Sequence, residues 1–198
     1  MTLIVIVSMI LGIGFGYFIF PQSIIENLDS IASICLYVII FLVGIDVGSN
    51  KKIIKDIKAI GVKVLIIPIA VILGSLVGGL ISGVIFKMPY NESLAVASGF
   101  GWYSLSGIML TELANAQLGA MAFLSNVFRE VIAVVSIPIL AKKLNYYSAI
   151  APAGATSMDT TLPLIAKATD PEVAVIAFIN GVILSSLVPV LVTFFYNL

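Results

Sequence analysis

Two groups of residues in this chain have types and spacings that could do chemistry. The first is Asp159 in the stretch GATSMDTTLP (154–163), where Thr156, Ser157, Thr160 and Thr161 crowd one carboxylate with hydroxyls. Such a cluster can replace the hydration shell of a metal cation or of an ammonium group. The second is Asn126, Arg129 and Glu130 in AFLSNVFREVIAVV (122–135). At helical spacing these three share roughly one face. Adjacent Arg129 and Glu130 nevertheless diverge by about 100° around a helix, so each needs a partner elsewhere, and Glu112 and Asp159 are the natural candidates. Asp46, near the end of another apolar run, completes the set.

These groups matter because of their surroundings. The chain has 198 residues, of which 61% are hydrophobic and only 10% charged. Soluble domains carry roughly 25% charged residues, so this chain lacks the polar surface to coat a globule. A charge at the centre of a membrane helix costs ~2.5–3.5 kcal/mol on insertion scales, and such residues usually face an interior path. Asp46, Glu112, Glu130, Asp159 and Arg129 sum to minus three if all are ionised. Burial favours the neutral form of a carboxyl group, so the set suits a cationic substrate with a proton as coupling ion. Arg129 or a half-helix N-terminus would then receive a substrate carboxylate. Bland readings stand beside this one: an Arg129–Glu130 ion pair that only holds helices together, a surface loop around Asp159, and interfacial positions for Asp46 and Glu112.

The elements that must position these residues follow from the apolar runs. Uninterrupted runs at about 3–20, 30–48, 59–86, 119–141 and 173–196 each reach the ~20 residues that cross a bilayer as helix. Alternation of the β-barrel kind is absent. The fold class is therefore an all-α polytopic membrane protein. Two further segments, 92–113 and 147–167, are apolar but broken: the first by Gly99, Gly101 and Gly107 with Ser98, Ser104 and Ser106, the second by GATSMDTTLP. If both crossed fully, the lysines at 51–58 and Lys142–Lys143 would lie on opposite sides. If each is a re-entrant or broken hairpin, about five transmembrane helices remain and the lysines at 51–58, 142–143 and 167 all lie inside, as the positive-inside rule favours. The N-terminus is then cytoplasmic and the C-terminus external, with the hairpins entering from opposite faces. Broken segments of this kind are expected around an alternating-access site, because backbone freed from helix survives at membrane depth only where protein or water satisfies it.

Zero formal charge leaves no nucleic-acid footprint. There is no histidine, Cys35 is the single cysteine, and neither a metal-ligand set nor a nucleotide loop is visible, so the chain reads as a non-enzyme without a cofactor.

The stretches ASGFGWYSLSGIMLTE (97–112), AFLSNVFREVIAVVSIPIL (122–140), GATSMDTTLP (154–163), FINGVILSSLVPVLVTFF (178–195) and YVIIFLVGIDVGSN (37–50) resemble the lysine exporter family, LysO. The resemblance implies an inner-membrane exporter of L-lysine and of the toxic analogue thialysine, with proton antiport. Glu112 falls on the family's LTE, Asp159 on its TSMD, and Asn126, Arg129 and Glu130 on its N-x-x-R-E. Family members often carry histidine before the glycine of the last span. Here that residue is Asn180, so a proton relay would rest on carboxylates. Larger members have extra N-terminal helices resembling residues 1–50, so this chain matches their C-terminal two thirds. That implies a homodimer or a small, separately encoded membrane partner. The N-terminal helix pair (1–50) would form the interface, with Gly12 and Gly16 as close-approach points, and 59–198 the transport core. Two alternatives stay open: a transporter of another basic amino acid or organic ion, and a non-transporting or channel-like membrane subunit.

Overall fold

A computed structural model describes residues 62–198, together with scattered helical positions between 7 and 41. Asp46 and most of the N-terminal helix pair lie outside the described residues. The protein is an all-helical polytopic membrane protein, with no strand among the described residues. After a 3-10 turn at Val62–Leu65 come helices α1 (Ile66–Phe86), α2 (Tyr90–Ala97), α3 (Tyr103–Leu113) and α4 (Ala116–Lys143). Single 3-10 turns at Tyr147–Ala149 and Gly154–Met158 precede α5 (Leu162–Ala168) and α6 (Pro171–Tyr196). Helices α1, α4 and α6 are long and apolar enough to cross a membrane, and they match three of the five predicted spans. The other two predicted spans fall on the first 50 residues.

Local sequence explains where these helices start and stop. Asn115 caps α4 by accepting from Leu118 N (2.9 Å), and Asp170 caps α6 by accepting from Val173 N (2.9 Å). Both satisfy donors that a helix start leaves unpaired. Pro171 follows at the first turn of α6, where its missing N–H costs nothing.

Helix directions can be read from close contacts. Gly83 abuts Ser93 and Gly79 abuts Ala97, so α2 runs back beside the last turns of α1. Gly107 abuts Phe123 and Gly119 abuts Thr111, while the Tyr103 ring meets Phe123 edge-on at 5.5 Å. Thus α3 runs antiparallel to the start of α4. Ser75 on α1 reaches Arg129 on α4, and Asn91 Nδ2 donates to Tyr196 O (3.1 Å). The end of α1, both ends of the α2–α3 hairpin, the start of α4 and the end of α6 therefore share one side. Segment 147–167 starts from the far end of α4 and returns to the start of α6. Each broken segment leaves and returns on its own side, as opposed re-entrant hairpins do.

Helix α6 is the central post. Leu184, Val188 and Val192, one turn apart, are fully buried against Phe100, Leu105 and Leu110. Ile176, Ala177 and Ile179 pack on Ile137, Ile150 and Ile165. By contrast, α1 and α4 present Ile69, Leu73, Val77, Val84, Phe128, Val131, Ile132 and Val135 outward, which suits surfaces that meet lipid. Lipid gives little hydrophobic drive between helices, so close fits at small residues such as Gly79, Gly107 and Gly119 hold them together.

Candidate functional site

The two hairpin tips meet. Ala155 N donates to Phe100 O (2.8 Å), joining the breaks in a direct main-chain bond. Phe100 is left-handed (φ 46°), and so are Gly101 (φ 103°) and Gly154 (φ 60°). At Gly154 a side chain is doubly excluded, because a β-carbon there would overlap Phe100 O. Phe100 is the informative outlier, since a non-glycine residue in this region is held there by its surroundings. Its side chain is fully buried.

Beside the junction lies a cleft of about 60 Å³, lined by Gly101, Trp102, Tyr103, Ser104, Glu130, Ala155, Thr156, Met158, Asp159, Thr160 and Ser185. Glu130 and Asp159 thus face one space, with the hydroxyls of Ser104, Tyr103, Thr156, Thr160 and Ser185 around them. Thr160 donates to Asp159 Oδ1 through both its N–H and its Oγ1 (3.3 Å), which fixes the carboxylate's outlook. The first turn of α3 also borders the cleft.

Ser106, Ser157, Thr161 and Asn180 are not among the lining residues, and with Thr156 they bond the backbone around the cleft. Ser157 Oγ shares its hydrogen between Gly154 O (2.8 Å) and Ala177 O (2.7 Å). Asn180 Nδ2 donates to Gly154 O (3.1 Å) and Ser157 Oγ (3.0 Å). Thr161 Oγ1 donates to Thr156 O (2.9 Å), and Thr156 Oγ1 to Ala153 O (2.9 Å). Ser106 Oγ donates to Trp102 O (2.8 Å). These bonds tie side chains to main-chain oxygens around the two breaks and, through Ala177 O, to α6.

Two expectations change. Glu112 stands on the last turn of α3, exposed and roughly 12 Å along the helix axis from Ser104. It is a residue of the hairpin's outer end and does not border the cleft. Arg129 also does not line the cleft. It donates to Pro152 O (3.1 Å), Ser75 Oγ (2.9 Å) and Ala151 O (3.4 Å), three neutral oxygens. Residue types alone predicted carboxylate partners, but carbonyls freed by Pro152 and its neighbours are the ones within reach. Tyr103, Trp102 and Met158 line the cleft without having been singled out, and their only signal was position beside the breaks.

A family model described as lysine exporter LysO matches residues 6–196. The chain belongs to the lysine exporter LysO family. It is 39% identical over 183 residues to the protein of Escherichia coli (strain K12) named lysine exporter LysO, covering 92% of this chain and 60% of that one. A protein of Haemophilus influenzae (strain ATCC 51907 / DSM 11121 / KW20 / Rd), provisionally named for lysine export, is 38% identical over 161 residues, 81% of each chain. The chain therefore spans about 60% of the length of the Escherichia coli relative. No solved structure matches. LysO is a transporter family, and Asn126, Arg129 and Glu130 fall on the α4 turn between the two tips.

Proposed function

We propose that this chain exports L-lysine, and thialysine with it, by alternating access with proton antiport. One observation carries the reading: Glu130 and Asp159 line a single cleft where opposed hairpin tips join. The substrate's side-chain ammonium binds between these carboxylates, and the hydroxyls of Ser104, Thr156 and Thr160 complete its shell. Two carboxylates that hold either one cation or a shared proton make lysine and proton compete, which is what antiport needs. The first turn of α3 receives the substrate carboxylate.

Orientation follows from the lysines. Lys142 and Lys143 end α4, and Lys167 lies just before α6 starts; Lys87 caps the opposite end of α1. Placing the three-lysine end in the cytoplasm of the inner membrane makes α2–α3 the external hairpin, leaves the C-terminus outside and puts the N-terminus inside. Residues 1–50 form the interface with a second copy or a small membrane partner, and 59–198 the transport core. No described residue lies within 4 Å of where a β-carbon would stand at Gly12 or Gly16.

The test is lysine efflux and thialysine resistance in cells expressing the chain, alone and with any short neighbouring reading frame. Asp159→Asn and Glu130→Gln should each abolish flux while the protein stays inserted and folded. Normal flux in both variants refutes the cleft as the binding site, and failure of unlabelled lysine to compete points to another organic ion.

A further inference from the structure

Asn126 and Arg129, the neighbours of Glu130 on α4, are not among the residues that line the cleft. Asn126, 4% exposed, accepts from Gly101 N (2.7 Å) and donates to Ser106 Oγ (3.3 Å) and Ala122 O (2.9 Å). One turn on, Arg129 holds Ala151 O and Pro152 O, which lie just before the other tip, and ties them to Ser75 on α1. Both breaks are therefore anchored to one turn of one helix, and they are joined to each other by the Ala155–Phe100 bond. A guanidinium is a rigid fork of five N–H donors. Here its Nε and both terminal nitrogens donate to protein oxygens, on a side of α4 about 100° from that of Glu130. To meet a carboxylate in the cleft it would have to release hairpin 147–167.

We propose that Arg129 is a positioning residue that sets hairpin 147–167, and Asp159 with it, against Glu130, and that it does not receive the substrate's carboxylate. Asn126 does the same for the external hairpin. The proposal rests on the cation-cleft reading above. Hairpin displacement of about 1 Å at a site that depends on geometry costs up to ~100-fold in rate, so loss of this anchor reduces turnover without changing what the cleft recognises.

The experiment uses the full chain in proteoliposomes. It compares lysine with cadaverine, which keeps the ammonium group and lacks the carboxylate. Arg129→Gln should lower the maximal rate by about 10-fold or more, with the preference between lysine and cadaverine unchanged. Arg129→Lys should recover only part of the rate, because an ammonium group lacks the planar fork. Loss of the preference in Arg129→Gln, with cadaverine flux intact, overturns the proposal. Ser75→Ala removes one anchor and keeps the charge. It should slow transport with the preference intact, and an altered preference there overturns the proposal if Arg129→Gln does not fold. A second readout needs no flux. In a Cys35→Ser background, thiol labelling of Thr160→Cys should quicken when Arg129→Gln frees the hairpin, and an unchanged labelling rate also overturns the proposal. If the unaltered chain carries neither lysine nor cadaverine, the exporter reading fails, while the labelling result still decides the role of Arg129.

Discussion

Gly154 allows the tip junction to be tested by adding a single methyl group. In Gly154→Ala the new residue must hold φ near +60°, which costs a non-glycine residue roughly 1–2 kcal/mol. Its β-carbon would overlap Phe100 O and sit 3.2 Å from Arg129 Cζ. Relief requires the tips to part by roughly 1 Å, judged against normal contact distances. That movement breaks the Ala155–Phe100 bond in a buried setting, at a cost of about 1–3 kcal/mol. The total is roughly 2–5 kcal/mol. At about 2–4 °C per kcal/mol for a chain of this size, the midpoint of thermal unfolding in detergent should fall by roughly 4–20 °C. Gly78→Ala is the matched control. Gly78 lies in α1, and a β-carbon there meets nothing within 4 Å, so the same methyl should leave stability unchanged or raise it by up to ~1 kcal/mol through helix propensity. Equal midpoints for the two variants would refute the locked junction.

Other tests follow from where single side chains lie. Glu112→Gln should leave lysine efflux close to normal, because Glu112 stands at the hairpin's outer end; a loss as deep as that of Asp159→Asn would return Glu112 to the translocation path. Gly119→Ala should destabilise strongly, because a β-carbon there would overlap Thr111 Oγ1 and crowd Gly107 O at 2.6 Å; a variant that purifies with an unchanged unfolding midpoint would contradict the α3–α4 packing. In a Cys35→Ser background, Ser104→Cys and Thr160→Cys should react with a small polar thiol reagent, and lysine should slow both. Ser157→Cys should stay unreactive, since Ser157 is fully buried; rapid labelling there would show that the tip is open to water.

The spans and the two breaks were legible because both depend on composition over many residues. Twenty apolar residues in a row have few alternatives to a membrane helix, and closely clustered glycines, hydroxyls and a carboxylate mark where one is interrupted. Glu130 and Asp159 were legible for a related reason: a carboxylate in an apolar segment is costly, so a chain that keeps one places it where something polar waits. The partners of Arg129 were not legible, because they are neutral. Ser75 is 54 residues away and the other two are main-chain oxygens, which carry no residue signature. Phe100 was hidden in a different way. With Gly99 and Gly101 on either side, sequence reasoning assigns the left-handed turn to the glycines, yet Phe100 shares it and its carbonyl closes the junction. Residue type predicts which groups must find partners in a membrane interior; which partners they find is set by the crossing of chain segments. At this crossing three adjacent functions fall on one turn of α4: Asn126 holds one tip, Arg129 holds the other, and Glu130 faces the space between them. A shift of either hairpin along α4 would therefore change access to the cleft and the separation of its two carboxylates together, which is the coupling that exchange of a cation for a proton requires.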